Sequence, residues 1–199
     1  MKIAAILLAA GSSRRFGEEN KLLLNVEGMP MVARSAGALL KAMPPLRPIV
    51  VVTGYEQERM RDALDGMFGE EGNITFTHNP DYASGIASSV HAGLRALPGD
   101  MDGVVIALAD MPWVESRHIE KLLEAFEDKA SICIPMVDGR RGNPTLWGAS
   151  YFERMYACEG DVGARALLLE YAARVREVAF EDAATLTDID TPEGMAHPF

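Results

Sequence analysis

Short apolar runs alternate with longer amphipathic segments along the whole chain. The runs that predict strands are 3–8, 49–53, 74–77, 104–109, 131–136, 145–147 and 175–180. The segments that predict helices are 31–43, 56–67, 86–96, 116–127, 150–157 and 164–171. Because apolar strands alternate with helices, the pattern predicts an α/β fold: a Rossmann-like three-layer sandwich around a mixed, mainly parallel sheet.

The chain shows no internal repeat, low-complexity tract or linker, so we expect one domain over residues 1–199. With 48% hydrophobic and 24% charged residues, the composition is that of an ordinary globular protein. This length is sufficient to bury a substantial core.

The formal net charge is −10, which disfavours general binding of nucleic acids or anionic membranes because the average field repels polyanions. No run reaches the ~18 apolar residues of a membrane span. Two isolated cysteines, Cys133 and Cys158, indicate a reducing compartment rather than a disulfide framework or zinc site. We therefore expect a soluble, cytoplasmic protein without nucleic-acid or membrane partners.

The first predicted strand is followed by small residues, two serines, two arginines and a lysine. Small residues allow a backbone to approach a ligand closely, and successive N–H groups in such a turn form an anion site. Arg15 and Lys21 add positive charge, so we interpret the turn as a nucleoside triphosphate site with both side chains as catalytic groups. The residues expected to contact the nucleotide here are Leu8, Ala9, Ala10, Gly11, Ser13, Arg15 and Lys21.

Two simpler interpretations of this stretch compete. Lys2, the apolar run and the small residues after it also match a short secretory signal peptide. An ordinary strand and turn with surface arginines is the other alternative. The spacing matches neither GxGxxG nor GxxxxGK[ST], which disfavours a Rossmann dinucleotide loop and a Walker phosphate loop.

Polar residues follow several strands at the edge where ligands bind in open α/β sheets. Thr53 ends the second strand, and Asn79 and Ser89 lie in and after the loop that follows the third. We expect these three residues to contact the nucleotide, with Asn79 and Ser89 near a base or ribose. For Asn79 and Ser89, a turn followed by exposed helix serines is an equally acceptable interpretation.

Asp110 closes the apolar run VVIALA and is followed by Met-Pro. Mg²⁺ usually takes one or two carboxylates together with substrate phosphates, so a strand-end aspartate suits it. A second carboxylate is available in the tail from Asp188 or Asp190. The alternatives are helix caps at Asp110 and at Asp190-Thr191-Pro192.

Two further polar segments are candidates for binding a second, anionic substrate. Arg141 and Asn143 belong to the sequence RRGNP, and Asp161 and Arg165 flank a glycine-rich helix start. A solvated charged turn explains the first segment equally well, and a helix cap explains the second.

Several motifs together resemble those of the molybdenum cofactor nucleotidyltransferases, and most closely the cytidylyltransferase branch. They are LAAGSSRRFG with Lys21, LADMP, GNPTLW, GDVGAR and DIDTPEG, and they extend from residue 8 to residue 194. LAAG rather than LAGG resembles the branch that uses cytosine. The resemblance implies a fold of the nucleotide-diphospho-sugar-transferase type.

The resemblance also implies a reaction in which CTP and molybdopterin give molybdopterin cytosine dinucleotide and pyrophosphate. In this family Leu8, Ala9 and Ala10 would contact the nucleotide through the backbone and Lys21 would contact its phosphates. Asp110 would bind Mg²⁺, and Asp190 would be the second residue beside the metal. The product would pass to an acceptor molybdoenzyme. The alternatives are an enzyme that uses GTP, one with another phosphorylated acceptor, and a non-catalytic nucleotide-binding or cofactor-delivery module.

Overall fold

The computed structural model describes residues 1–11, 16, 19–69, 73–160 and 163–191, with the backbone alone for 163–165. The strands are β1 (Ile3–Ala9), β2 (Asn25–Val26), β3 (Met29–Pro30), β4 (Ile49–Thr53), β5 (Ile74–His78), β6 (Gly103–Leu108), β7 (Ile132–Val137), β8 (Arg140–Arg141), β9 (Thr145–Gly148) and β10 (Val175–Ala179). The α-helices are α1 (Met31–Lys41), α2 (Gln57–Phe68), α3 (Ile86–Arg95), α4 (Ser116–Ala125), α5 (Phe152–Met155) and α6 (Gly163–Glu170). Within this part of the chain, no helix is both long and apolar enough to cross a bilayer.

The main sheet has the order β10-β7-β9-β6-β1-β4-β5, with β8 paired to β7. β1 lies between β4 and β6 and pairs with both in parallel. β9 runs antiparallel to both its neighbours, and β2 and β3 form a separate hairpin. The mixed, mainly parallel sheet predicted from the sequence is confirmed.

β1 shows why the fold has three layers. It is buried along its whole length, and its alternate side chains enter two different cores because successive residues of a strand point to opposite faces. Ala5 and Leu7 pack with buried residues of α1, α2 and α4. Ile6 and Leu8 pack on the other face with residues of α3, α5 and α6. The predicted three-layer arrangement is confirmed.

The helix expected over 150–157 is shorter in the structure. Residues Ala149–Tyr151 form a 3₁₀ turn, and α5 follows with a single α-helical turn. The chain then passes Gly160 at φ +63°, and the carbonyl of Gly160 accepts a hydrogen bond from Ala87 N at 3.1 Å. This bond ties the chain after α5 to the first turn of α3. Cys158 lies beyond α5, and Cys133 lies in β7.

Candidate functional site

The carboxyl ends of three central strands meet beside the first turn of the chain. Ala9 pairs with Thr53 of β4, and Ala109 N donates to the Leu8 carbonyl at 3.1 Å. A Cβ at Gly54 would lie 2.7 Å from the Ala10 carbonyl oxygen, so only glycine allows the chain to pass so close there. The backbone from Leu8 to Ala10 is thus fixed by both neighbouring strands.

Five of the residues expected to bind the nucleotide gather at this edge of the sheet. They are Leu8, Ala9, Ala10, Gly11 and Thr53. Gly11 is exposed, whereas the hydroxyl of buried Thr53 donates to the Thr77 carbonyl at 3.3 Å. Other expected site residues, Ser13, Arg15 and Asp161, lie outside the described residues, as does the side chain of Arg165. Their roles stay predictions.

Three aspartates converge next to this edge from two distant parts of the sequence. One carboxylate oxygen from each of Asp110, Asp188 and Asp190 lies within 4.8 Å of the others. Asp110 follows β6, and Ile189 N donates to the Asp110 carbonyl at 2.9 Å. This backbone hydrogen bond holds the tail against Asp110, with an aspartate on either side of Ile189. Asp110 and Asp190, which the resemblance assigns to the metal, lie together with Asp188, and their role at a metal stays a prediction.

Lys21 extends its ammonium group into this carboxylate group. It begins the 3₁₀ helix Lys21–Leu23, which the side chain of Asn20 caps. Its Nζ donates to Asp110 Oδ2 at 2.9 Å, to Asp190 Oδ1 at 3.0 Å and to the Ile189 carbonyl at 2.8 Å. Burial lowers the pKa of Lys21, but the two carboxylates outweigh this effect, so its pKa lies above the ordinary value of 10.5. The lysine is therefore charged at neutral pH.

The group has the donor chemistry of a site for a hard divalent cation. The described residues bring three carboxylates and the ammonium group of Lys21 together. Carboxylate oxygens are the protein ligands that Mg²⁺ and Mn²⁺ accept, usually together with phosphate oxygens and waters. The residues Asp110, Asp188 and Asp190 fit such an ion.

A large hollow of about 1140 Å³ lies on the α3 side of the sheet and extends to the loop after β7. Its lining includes Leu8 and Leu108, two residues before Asp110, and apolar side chains of α3 and α6. Arg141 and Asn143, expected to bind a second substrate, also line it. Arg141 is paired across the sheet with Glu177 of β10 at 3.1 Å. The structure therefore places these two residues in one hollow with the end of β1, and their role stays a prediction.

Asn79 and Ser89 are placed differently from the carboxylates. Both are buried, and Asn79 Nδ2 donates to the hydroxyls of Ser88 at 2.9 Å and Ser89 at 3.0 Å. Asn79 Oδ1 accepts a hydrogen bond from Asp81 N at 3.0 Å, so the side-chain amide also bonds to the backbone of the loop in which it lies. Asn79 lines a separate hollow of about 540 Å³. Contact of either residue with a base stays a prediction, and the observed bonds agree with the alternative of a structural turn.

Sequence reasoning missed the environment of His118. His118 caps α4, because its Nδ1 accepts a hydrogen bond from Glu115 N at 2.9 Å. It is nevertheless 0% exposed, and its Nε2 lies 3.2 Å from both carboxylate oxygens of Asp182. The two residues are 64 positions apart, and no spacing in the sequence signals this pair.

The chain is similar in sequence to several known proteins. The sequence profile described as "MobA-like NTP transferase domain" matches residues 5–175. The chain is 27% identical over 191 residues to the molybdenum cofactor cytidylyltransferase of Escherichia coli (strain K12), covering 96% of this chain and 92% of that protein. It is 31% identical over 133 residues to the bifunctional protein GlmU of Mycobacterium ulcerans (strain Agy99), covering 64% of this chain but only 26% of that protein.

Among solved structures, a nucleotidyl transferase from Methanothermobacter thermautotroptrophicus superimposes with a TM-score of 0.81 at 22% identity. The match covers 96% of this chain and 93% of that chain. The fold type that the sequence motifs implied is thereby confirmed.

Proposed function

Because the chain belongs to the MobA-like NTP transferase family, we propose that it transfers CMP from CTP to the phosphate of molybdopterin and releases pyrophosphate. The observation that carries the catalytic part is the contact of Lys21 with both Asp110 and Asp190, which are 89 and 169 residues away along the chain. These charges lie near the carboxyl end of β1, where a triphosphate would bind. An ammonium group and a carboxylate-held cation at one place suit phosphoryl chemistry.

Two observations support the choice of substrates. The E. coli relative, which the chain matches over nearly its full length, is a molybdenum cofactor cytidylyltransferase, and LAAG at residues 8–11 resembles the cytosine-using branch. The hollow of about 1140 Å³ also has room for a large acceptor, since typical ligand pockets hold ~300–1000 Å³. Its apolar lining suits a fused heterocycle, while Arg141 and Asn143 supply polar groups.

The proposed reaction needs no general base. A phosphomonoester oxygen of the acceptor is already anionic at neutral pH, and it forms a bond to the α-phosphorus of CTP. The bond from that phosphorus to the oxygen bridging the β-phosphate breaks, and pyrophosphate leaves with the bonding electrons. Catalysis then depends on alignment and on stabilisation of negative charge.

The residues of this chain would divide these tasks. The backbone at Leu8–Ala10 orients the nucleotide, and Lys21, together with Arg15, stabilises the charge that develops on the departing pyrophosphate. Asp110, Asp188 and Asp190 would hold Mg²⁺, which when bound neutralises charge on the triphosphate.

The substrate assignment is tested by ligand-induced thermal stabilisation followed by turnover. With Mg²⁺ present, we expect CTP to raise the melting temperature more than GTP, because selective binding stabilises the folded state. Pyrophosphate release should then require both CTP and molybdopterin, with a sugar phosphate and phosphocholine as control acceptors. A response to GTP alone would refute the cytosine assignment. Nucleotide binding without pyrophosphate release from any acceptor would favour a non-catalytic module.

A further inference from the structure

Two of the three site carboxylates lie on a segment with little regular structure of its own. The tail segment, residues 182–190, contains the 3₁₀ helix Ala183–Leu186 and continues without helix or strand through Asp188 and Asp190. A single 3₁₀ turn cannot by itself fix two carboxylates against a third on another strand. Their placement must therefore come from contacts that the tail segment makes with other elements.

The first attachment is at Asp182, where the tail segment meets the start of α4. Because Nδ1 of buried His118 accepts from a backbone N–H, its proton is on Nε2, which faces both oxygens of Asp182 at 3.2 Å. The same carboxylate accepts from Ala184 N at 3.0 Å and so caps the 3₁₀ helix. Burial raises the pKa of Asp182, but the hydrogen bonds from His118 and Arg117 outweigh it and the pKa is lowered.

The second attachment is at Thr185, against the loop that carries Arg141 and Asn143. Asn143 N donates to the Thr185 carbonyl at 2.8 Å. A Cβ at Gly142 would lie 2.2 Å from that carbonyl oxygen and 2.9 Å from its carbon, which is far inside contact distance with backbone atoms. Thr185 is 0% exposed, so the tail segment has no room to move away without opening the core.

The third attachment is at Ile189, where the tail segment reaches the site itself. Its side chain is 0% exposed, its N–H donates to the Asp110 carbonyl, and its carbonyl accepts from Lys21. Only two residues, Leu186 and Thr187, lie between Thr185 and Asp188. A shift at Thr185 therefore has little chain over which to relax before it reaches the carboxylates.

We propose that Asp182, His118 and Gly142 are positioning residues for the carboxylate site. None of them provides a carboxylate to the group of three aspartates. They hold the tail segment so that Asp188 and Asp190 meet Asp110, and the Gly142 contact links the carboxylates to the loop proposed to bind the acceptor. This inference rests on the metal role proposed for the three aspartates.

The test is Mn²⁺ affinity, measured on the full chain by the electron paramagnetic resonance signal of free Mn²⁺ without nucleotide. We expect Gly142→Ala to weaken Mn²⁺ binding ~10- to 100-fold, the usual effect of removing support for metal ligands. Gly66→Ala is the matched control, because nothing lies within 4 Å of a Cβ there. Thr185→Val is the local control, since it changes the side chain and keeps the backbone contact. Both controls should bind Mn²⁺ like the unchanged protein.

Asp182 provides a second pair of variants in case Gly142→Ala fails to fold. Asp182→Ala should weaken Mn²⁺ binding and raise the Mg²⁺ concentration needed for half-maximal pyrophosphate release, with kcat recovered at saturating Mg²⁺. Asp182→Asn, which keeps an acceptor oxygen for His118 and Ala184, should restore most of the affinity. A purely structural role would lower the melting temperature and leave the Mn²⁺ affinity of the folded protein unchanged.

The outcomes separate this inference from the proposed function. If the unsubstituted enzyme is active, and folded Gly142→Ala or Asp182→Ala binds Mn²⁺ as tightly as it does, the positioning roles are overturned and the proposed function is not. If the unchanged protein binds no Mn²⁺ at millimolar concentration, both the inference and the metal-dependent function fail.

Discussion

The carboxylate site (Lys21, Asp110, Asp188 and Asp190) and the Asn79 loop (residues 79–85) lie beyond the same edge of the sheet. Their polar side chains differ in charge, exposure and bonding. In the Asn79 loop, the amide of a residue only 3% exposed bonds to two serine hydroxyls and one backbone N–H of its own loop. In the carboxylate site, the side chains of Lys21, Asp110 and Asp190 are 12%, 25% and 47% exposed. There, among the described residues, Lys21 bonds to two carboxylates of a group of three.

The two regions differ in the charge of their side chains and in the sequence separation between the residues that bond to each other. Asn79 and Ser89 are ten residues apart, neutral and mutually satisfied, which is how a loop stabilises its own conformation. Lys21 and Asp190 are charged and 169 residues apart, and they belong to a group in which three carboxylates come together. Like charges brought close together disfavour folding unless a cation is bound. The comparison teaches that position at a ligand-binding edge is not enough, and that like charges gathered from distant segments are the better sign of chemistry.

The largest effect on activity is expected from substitution of Asp110, and it tests whether the carboxylate site takes part in catalysis. Asp110→Ala should lower kcat for pyrophosphate release by at least ~10²-fold, because a major electrostatic group is lost. Asp65→Ala on the exposed part of α2 is the control and should retain full activity. Near-normal turnover in Asp110→Ala would remove this residue from the metal role.

A smaller effect is expected at Lys21. Lys21→Met keeps most of the side-chain volume and removes a charge-assisted contact worth ~1.5–3 kcal/mol, so kcat/KM for CTP should fall about 10- to 100-fold. Lys129→Met is a control at an exposed lysine that pairs with Asp102 instead. Steady-state kinetics that do not change in Lys21→Met would contradict its role at the phosphates, and circular dichroism should confirm that the variant is folded.

The smallest effect on activity is expected at Asn79, where the comparison predicts a loss of stability instead. Asn79→Ala removes a buried amide from its three partners and should lower the free energy of unfolding by about 1–3 kcal/mol. Urea unfolding measures this loss, and kcat at saturating CTP should stay within threefold. If stability is unchanged and KM for CTP rises more than tenfold, Asn79 contacts the nucleotide and the contrast drawn here is wrong.

Much of the fold was predictable because each prediction depended on local pattern. The apolar runs at β1 and β6 predicted buried strands, and Asp110 was recognised because it directly follows one of them. The hydrogen bond between Gly160, after α5, and Ala87 of α3 was not predictable, since it joins two segments that are distant in sequence. The burial of His118 was missed for the same reason, because its partner Asp182 lies on a distant segment.

The sequence by itself determined the layers, the strand ends and the types of charge available. The reason is that the periodicity of hydrophobic residues and the chemistry of each side chain can be read from a few neighbouring residues. It also offered Asp188 and Asp190 together, without deciding between them. Only the tertiary structure decided that both meet Asp110 and that Lys21 bonds to two of the three carboxylates. The physical reason is that these contacts depend on where the tail segment is held, and the residues that hold it, His118 and Gly142, are distant in sequence and carry no motif of their own.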